Sequence, residues 1–213
     1  TPHITKDQAF VRVQVEIDGF QGKTDDLVLI AKVFSPNGDL VGTSRTNAPK
    51  RSKKQTEEVV LPLIDVANPM LWACETPHLY QAEITLSLNG TIVDKVTERF
   101  GIRTIEFTQA SGFLLNGKKV FLKGISNHQD LGALGVAAYE AAIARQMDVL
   151  KSYGFNHIRT SHNPYSPSFL RLADEKGLLI VDELYDKWSN DKYWGGRTPW
   201  SEQVFHNLPE WIK

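Results

Sequence analysis

The chain has 213 residues, 41% of them hydrophobic and 23% charged, with 15 Gly and 10 Pro; this composition suits a folded globular protein of one large or two modest domains and excludes a disordered or fibrous chain. Against 25 Asp and Glu stand 24 Lys and Arg, a formal net charge of −1, so no net positive field exists to gather nucleic acid or an anionic bilayer, and neither partner is expected. The single cysteine, Cys74, excludes an intrachain disulfide and a multi-cysteine metal centre but does not identify the redox compartment. No apolar run approaches the roughly 18 residues of a membrane span, and the first seven residues lack the basic-then-apolar pattern of a signal peptide.

Near the N-terminus Val11, Val13, Val15 and Ile17 alternate with Arg12, Gln14 and Glu16, which predicts one half-buried strand with its apolar side chains on one face. Similar runs at 27–34, 57–61, 82–88 and 92–100 are separated by turn-formers such as Pro36-Asn37-Gly38 and Asn89-Gly90. Asn-Gly between two alternating runs predicts a two-residue hairpin, because both residues tolerate positive φ. Asn89-Gly90-Thr91 also reads as a glycosylation sequon, although the turn accounts for it with fewer assumptions. Several short strands without a helix between them predict an antiparallel, immunoglobulin-like sandwich over residues 1–106.

The period changes near residue 106. A second hairpin at Asn116-Gly117 leads to a predicted strand over 120–125 and a loop over 126–136. Ile143, Met147 and Leu150 recur at helical spacing, with Gly154 ending the pattern. A second strand is predicted at 157–160. Ser166 offers an N-cap with Pro167 at the first helical position, and Gly177 stops that helix before a third strand at 178–181. Strand, helix, strand, helix, strand with short connections is the pattern of a parallel sheet. A further helix is predicted from Ser201 to the end.

The motifs then resemble a known family. Asn68-Pro69-Met70-Leu71-Trp72 with Glu75-Thr76-Pro77-His78-Leu79-Tyr80 resembles the end of the sandwich domain in family 2 glycoside hydrolases, and Phe100-Gly101-Ile102-Arg103 is similar to their hinge into a β/α barrel. Gly112-Phe113-Leu114-Leu115-Asn116-Gly117-Lys118 and Lys123-Gly124-Ile125-Ser126-Asn127-His128-Gln129-Asp130 resemble the first barrel hairpin and strand. The runs 156–164 and 173–183 resemble the signature region. The resemblance covers about residues 60 to 190, and it implies a retaining β-glycosidase of the β-galactosidase and β-glucuronidase type, most like the β-galactosidases. Residues 107–213 are then the start of the barrel. A full barrel takes about 250 residues, so the resemblance places both catalytic glutamates, after strands four and seven, beyond Lys213; the chain alone is expected to be inactive.

His128 and His162 lie at the ends of the first two parallel strands, where a barrel builds its active site. In the family the matching histidines line the glycone pocket; the plainer reading makes each a satisfied loop histidine. If Ile158 faces the helices, Arg159 points into the barrel, and the matching arginine of the family supports the nucleophilic glutamate, while a structural ion pair would share that geometry. Asp130 matches an acidic loop position and is a candidate substrate contact. Asp182 and Glu183 are adjacent and so point to opposite faces, which argues against a catalytic pair and for structural hydrogen bonding at the strand end. Tyr185, Trp188, Tyr193, Trp194 and Trp200 follow the third strand; Tyr185 and Trp188 are candidate aglycone contacts, with packing of the loop as the alternative. Asn163 stands where many relatives have Tyr. Asp186-Lys187-Trp188 replaces residues that bind magnesium in some β-galactosidases, and a charged Lys187 cannot ligate a hard cation, so no metal and no cofactor are expected in this segment.

The expected partners are a carbohydrate, a β-galactoside or related sugar, and the remaining domains of a longer parent chain. Oligomerisation is left open, and family resemblance suggests a periplasmic or secreted parent. The competing reading is a non-catalytic sandwich-plus-barrel module for binding or scaffolding.

Overall fold

The computed structural model describes residues 3–18, 27–48, 56–137 and 139–184, which belong to two units, Thr1–Phe121 and Leu122–Lys213. The helix expected from Ser201 and the aromatic cluster from Tyr185 to Trp200 lie outside the described residues.

The first unit is built from strands β1 (His3–Ile4), β2 (Gln8–Val11), β3 (Gln14–Asp18), β4 (Leu27–Phe34), β5 (Leu40–Asn47), β6 (Thr56–Val60), β7 (Ile64–Ala67), β8 (Tyr80–Leu88) and β9 (Thr91–Phe100). One layer is the four-stranded sheet β5-β4-β8-β9. The other consists of the antiparallel sets β1-β2-β7 and β3-β6. Leu27, Leu29, Ala31 and Val33 of β4 meet Ala9, Val11, Val13, Ile17, Val59, Leu61, Ile64 and Val66 in a single core.

The valine alternation does give one buried face, but the single strand expected over 11–17 is two. β2 pairs with β7 and β3 with β6, and the register moves by one residue between Val11↔Ile64 and Gln14↔Val60. The cause lies on the partner strand, where Pro62 has no N–H to give the ladder. Its carbonyl is taken instead by the Ser44 hydroxyl at 2.7 Å. Across the layers, a Cβ on Gly42 would come within 2.2 Å of Ile64 Cγ2, so β5 needs a glycine there.

The Asn89-Gly90 turn has φ of 50° and 81°, as the hairpin reading requires. β9 extends over the expected residues, yet Ile92, Val93 and Val96 are exposed rather than half-buried. β9 is the edge of its sheet, and the core residues of the facing layer pack over β4 and the start of β8, where Tyr80 and Ala82 are buried.

Trp72, 1% exposed, organises the end of this unit. Its N–H donates to Ile102 O at 2.8 Å, its carbonyl accepts from Asn116 Nδ2 at 3.0 Å, and Arg103 Cζ lies 4.4 Å from its ring centroid. Gly101 leaves room for it, since a Cβ there would sit 2.9 Å from Trp72 Cβ. Asn116 belongs to the hairpin of β10 (Ile105–Thr108), β11 (Gly112–Leu115) and β12 (Lys118–Lys119).

The second unit holds the parallel sheet β13 (Gly124–His128), β14 (His157–Ser161) and β15 (Leu179–Val181), in that order, with helices α1 (Glu140–Ser152) and α2 (Pro167–Lys176) between them in sequence. Ile158 of β14 is fully buried among Ile143 and Met147 of α1 and Phe169, Leu172 and Ala173 of α2. Both helix ends of α2 follow from their residues: Ser166 Oγ accepts from Phe169 N at 3.3 Å, Pro167 takes the first position, and Gly177 adopts φ 73°, ψ 44°. The first parallel strand starts four residues later than expected. Its ladder opens at Gly124↔His157, and Asn156 closes off Lys123 by accepting from its N–H at 2.8 Å and donating its own to Lys123 O at 2.9 Å. The apolar residues 120–122 therefore lie outside the parallel ladder, and Ser126, expected in a loop, is a strand residue.

Candidate active site

Because β13 and β14 are parallel and in register, Ser126 lies beside Arg159 and His128 beside Ser161. Residues two apart share a face, so Ser126, His128 and Arg159 address one side of the sheet, while Ile158 packs on the other against the helices. His162 follows β14 directly through a cis peptide bond. Its ring meets His128 edge to face, with centroids 5.2 Å apart. The two histidines and Arg159 are thus gathered at the C-terminal ends of the parallel strands.

Arg159 is 41% exposed in its side chain, and its guanidinium spans the sheet. Nη1 donates to Ser126 Oγ at 3.1 Å and Nε donates to the Glu183 carboxylate. The other Glu183 oxygen lies 2.8 Å from His162 Nδ1. Partial desolvation pushes the Glu183 pKa up, but the hydrogen bonds from His162 and Arg159 and their charges outweigh it, and the net shift is downward. Glu183 is therefore held ionised.

Asp182 turns the other way, as expected of neighbours. Its Oδ1 accepts from the buried Thr160 hydroxyl at 2.6 Å, and that same hydroxyl accepts from Glu183 N at 2.9 Å. Both acids are hydrogen-bonded at the strand end. Asp130 is exposed and its Oδ1 accepts from Gly132 N at 2.9 Å, opening the turn Gly132–Leu134. Asn163 bonds locally to Pro164 O at 3.1 Å. Tyr185 and Trp188 lie outside the described residues, and among the described residues no group of three or more His, Cys, Asp or Glu is arranged to hold a metal.

Two supporting residues were not singled out in the sequence. Ser126 could have been found from its spacing, two residues before His128 on the same face. Tyr165, 6% exposed, donates to Asn127 O at 2.5 Å and packs edge to face on Phe169; nothing local to its sequence announces a contact 38 residues away.

The family model for glycosyl hydrolases family 2 matches residues 1–103, and that for the family 2 TIM barrel domain matches residues 105–190. A beta-galactosidase of Bacteroides ovatus is 31% identical over 192 residues, covering 90% of this chain and 22% of its own length. A beta-glucuronidase of Streptococcus agalactiae is 38% identical over 152 residues, covering 71% of this chain and 23% of its own length. The crystal structure of a family 2 member from Bacteroides cellulosilyticus superposes with a TM-score of 0.86 at 32% identity, over 98% of this chain and 26% of that one. The chain thus spans about a quarter or less of the length of these relatives.

Proposed function

Since the chain belongs to glycoside hydrolase family 2, we propose that it is an internal part of a retaining β-glycosidase that removes terminal β-linked sugars, with β-galactosides as its substrate class. Residues 1–106 serve as the immunoglobulin-like sandwich and 107–213 as the opening three βα units of the catalytic barrel. His128 and His162 contact the glycone, Arg159 supports the nucleophile, Asp130 is a further substrate contact, and Tyr185 and Trp188 line the aglycone side. The observation that carries this reading is the meeting of His128, Arg159 and His162 at the C-terminal ends of the parallel strands, the face on which barrels place their chemistry.

A retaining enzyme needs two carboxyl groups about 5 to 5.5 Å apart, one to attack the anomeric carbon and one to protonate the leaving oxygen. Asp182 and Glu183 do not suit that pair: they point apart and are engaged with Thr160, Arg159 and His162. The two glutamates are assigned to later barrel strands. An imidazole that hydrogen-bonds a sugar hydroxyl gains strength as the ring distorts toward the oxocarbenium-like transition state. Replacing His162 by Phe in the active parent protein is expected to lower kcat/KM at least about tenfold, the equivalent of about 1.4 kcal/mol.

The test is hydrolysis. The 213-residue chain should release no aglycone from aryl β-galactosides or β-glucuronides, whereas the longer protein carrying it should cleave β-galactosides with retention at the anomeric centre, read from the first-formed product by NMR. Inversion, or turnover by the chain alone, would overturn the proposal. Preference for β-glucuronides would transfer it to the other substrate class named among the relatives.

A further inference from the structure

We propose that Glu183 is a positioning residue that fixes the proton of His162 on Nδ1, so that Nε2 of the neutral ring is its hydrogen-bond acceptor. The argument is one of donors and acceptors around a single carboxylate. An ionised Glu only accepts and a guanidinium only donates. One oxygen of Glu183 takes Arg159 Nε, and the other lies 2.8 Å from His162 Nδ1. A hydrogen bond at that second contact requires N–H on Nδ1. Arg159 Nη2 is 3.4 Å from the same nitrogen, and if Nδ1 carries a proton it has no lone pair for the guanidinium, so the longer contact is packing rather than a hydrogen bond. In the neutral imidazole the lone pair then resides on Nε2.

Glu183 is itself fixed. Its backbone N–H is held by the hydroxyl of Thr160, a fully buried residue of β14, and Arg159 ties it through Ser126 to β13. The carboxylate, the guanidinium and the imidazole therefore form one connected set, carried by the ends of three neighbouring strands. An acceptor at Nε2 suits a sugar ring hydroxyl, which can donate, and not a carboxylate, which can only accept. This role toward a hydroxyl rests on the glycosidase reading above, whereas the position of the proton does not.

The test is long-range 1H–15N NMR on the full chain labelled with 15N-histidine, at about pH 8, above the ordinary imidazole value, with the His162 signals assigned by their loss in His162→Gln. In the wild type the proton should be on Nδ1. In Glu183→Gln the amide oxygen should remain on Arg159, which can only donate, and turn the amide NH2 toward Nδ1; the proton should then move to Nε2. A wild-type proton on Nε2, or no change in a folded Glu183→Gln, would overturn the proposal. The wild-type spectrum decides the matter alone if the variant does not fold. A purely structural Glu183 would alter stability without moving the proton. Since no turnover is needed, failure here is distinguishable from failure of the hydrolase reading.

Discussion

Tyr165 anchors the strand end that carries His128. Its hydroxyl donates to Asn127 O, the residue before His128, from a buried position. Burial, with a smaller push from the charge of Asp182, raises its pKa to about 12 despite the opposing hydrogen bond, so it stays a donor through the physiological range. Tyr165→Phe keeps the ring and removes the bond, and should lower stability by about 1 kcal/mol in denaturant unfolding. Glu183 makes a different prediction. Its folded pKa lies below the usual glutamate value of 4.5, so its stabilising contribution is complete above that value and is lost as pH falls through the lower, folded one. His157 behaves in the same direction for another reason: burial lowers its pKa from 6.5, so stability declines as pH drops below 6.5 toward the folded value. Unfolding midpoints followed from about pH 7 to about pH 3 should fall in both regions. Glu183→Gln should flatten the more acidic fall and leave the other.

At the scale of elements, glycines and caps give sharper expectations than strands do. Gly42→Ala drives a methyl into Ile64 and should cost about 1–3 kcal/mol by overpacking the contact between the layers. Ser166→Ala removes the N-cap of α2 and should cost about 1 kcal/mol; thermal or denaturant unfolding checks both. The same contrast explains what could be read from the residues. α2 was legible because Ser166, Pro167 and Gly177 act on their own helix. β13 was misplaced because its start depends on Asn156 and His157, some thirty residues on, and β2 was joined to β3 because the interruption is Pro62 on the opposite strand. β5 was missed since Leu40–Asn47 has no apolar alternation. In the candidate site, the meeting of His128, His162 and Arg159 at the strand ends was visible through motif and parity. That Glu183 would bridge the last two depends on how far the chain after β15 folds back, which no local pattern encodes.

On the scale of the whole molecule, the parallel sheet has β13 and β15 as its outer strands among the described residues. Outer strands present unpaired N–H and C=O groups and invite pairing between chains. The isolated 213-residue chain should therefore associate as its concentration rises, which size-exclusion chromatography with light scattering would read directly. A monomer over a wide concentration range would show that these edges are covered by the chain itself.

Cutting the protein for separate expression is governed by Trp72. The two family models change over between residues 103 and 105, and a truncation there looks natural. It would remove Asn116, and with it the donor to the carbonyl of Trp72 and the partner of Thr104, whose N–H and carbonyl both bond to Asn116 at about 3 Å. A sandwich ended after Phe121 keeps that residue and the whole β10–β12 hairpin. The shorter piece should express poorly and the longer one well, because the evolutionary border and the mechanical one fall at different places.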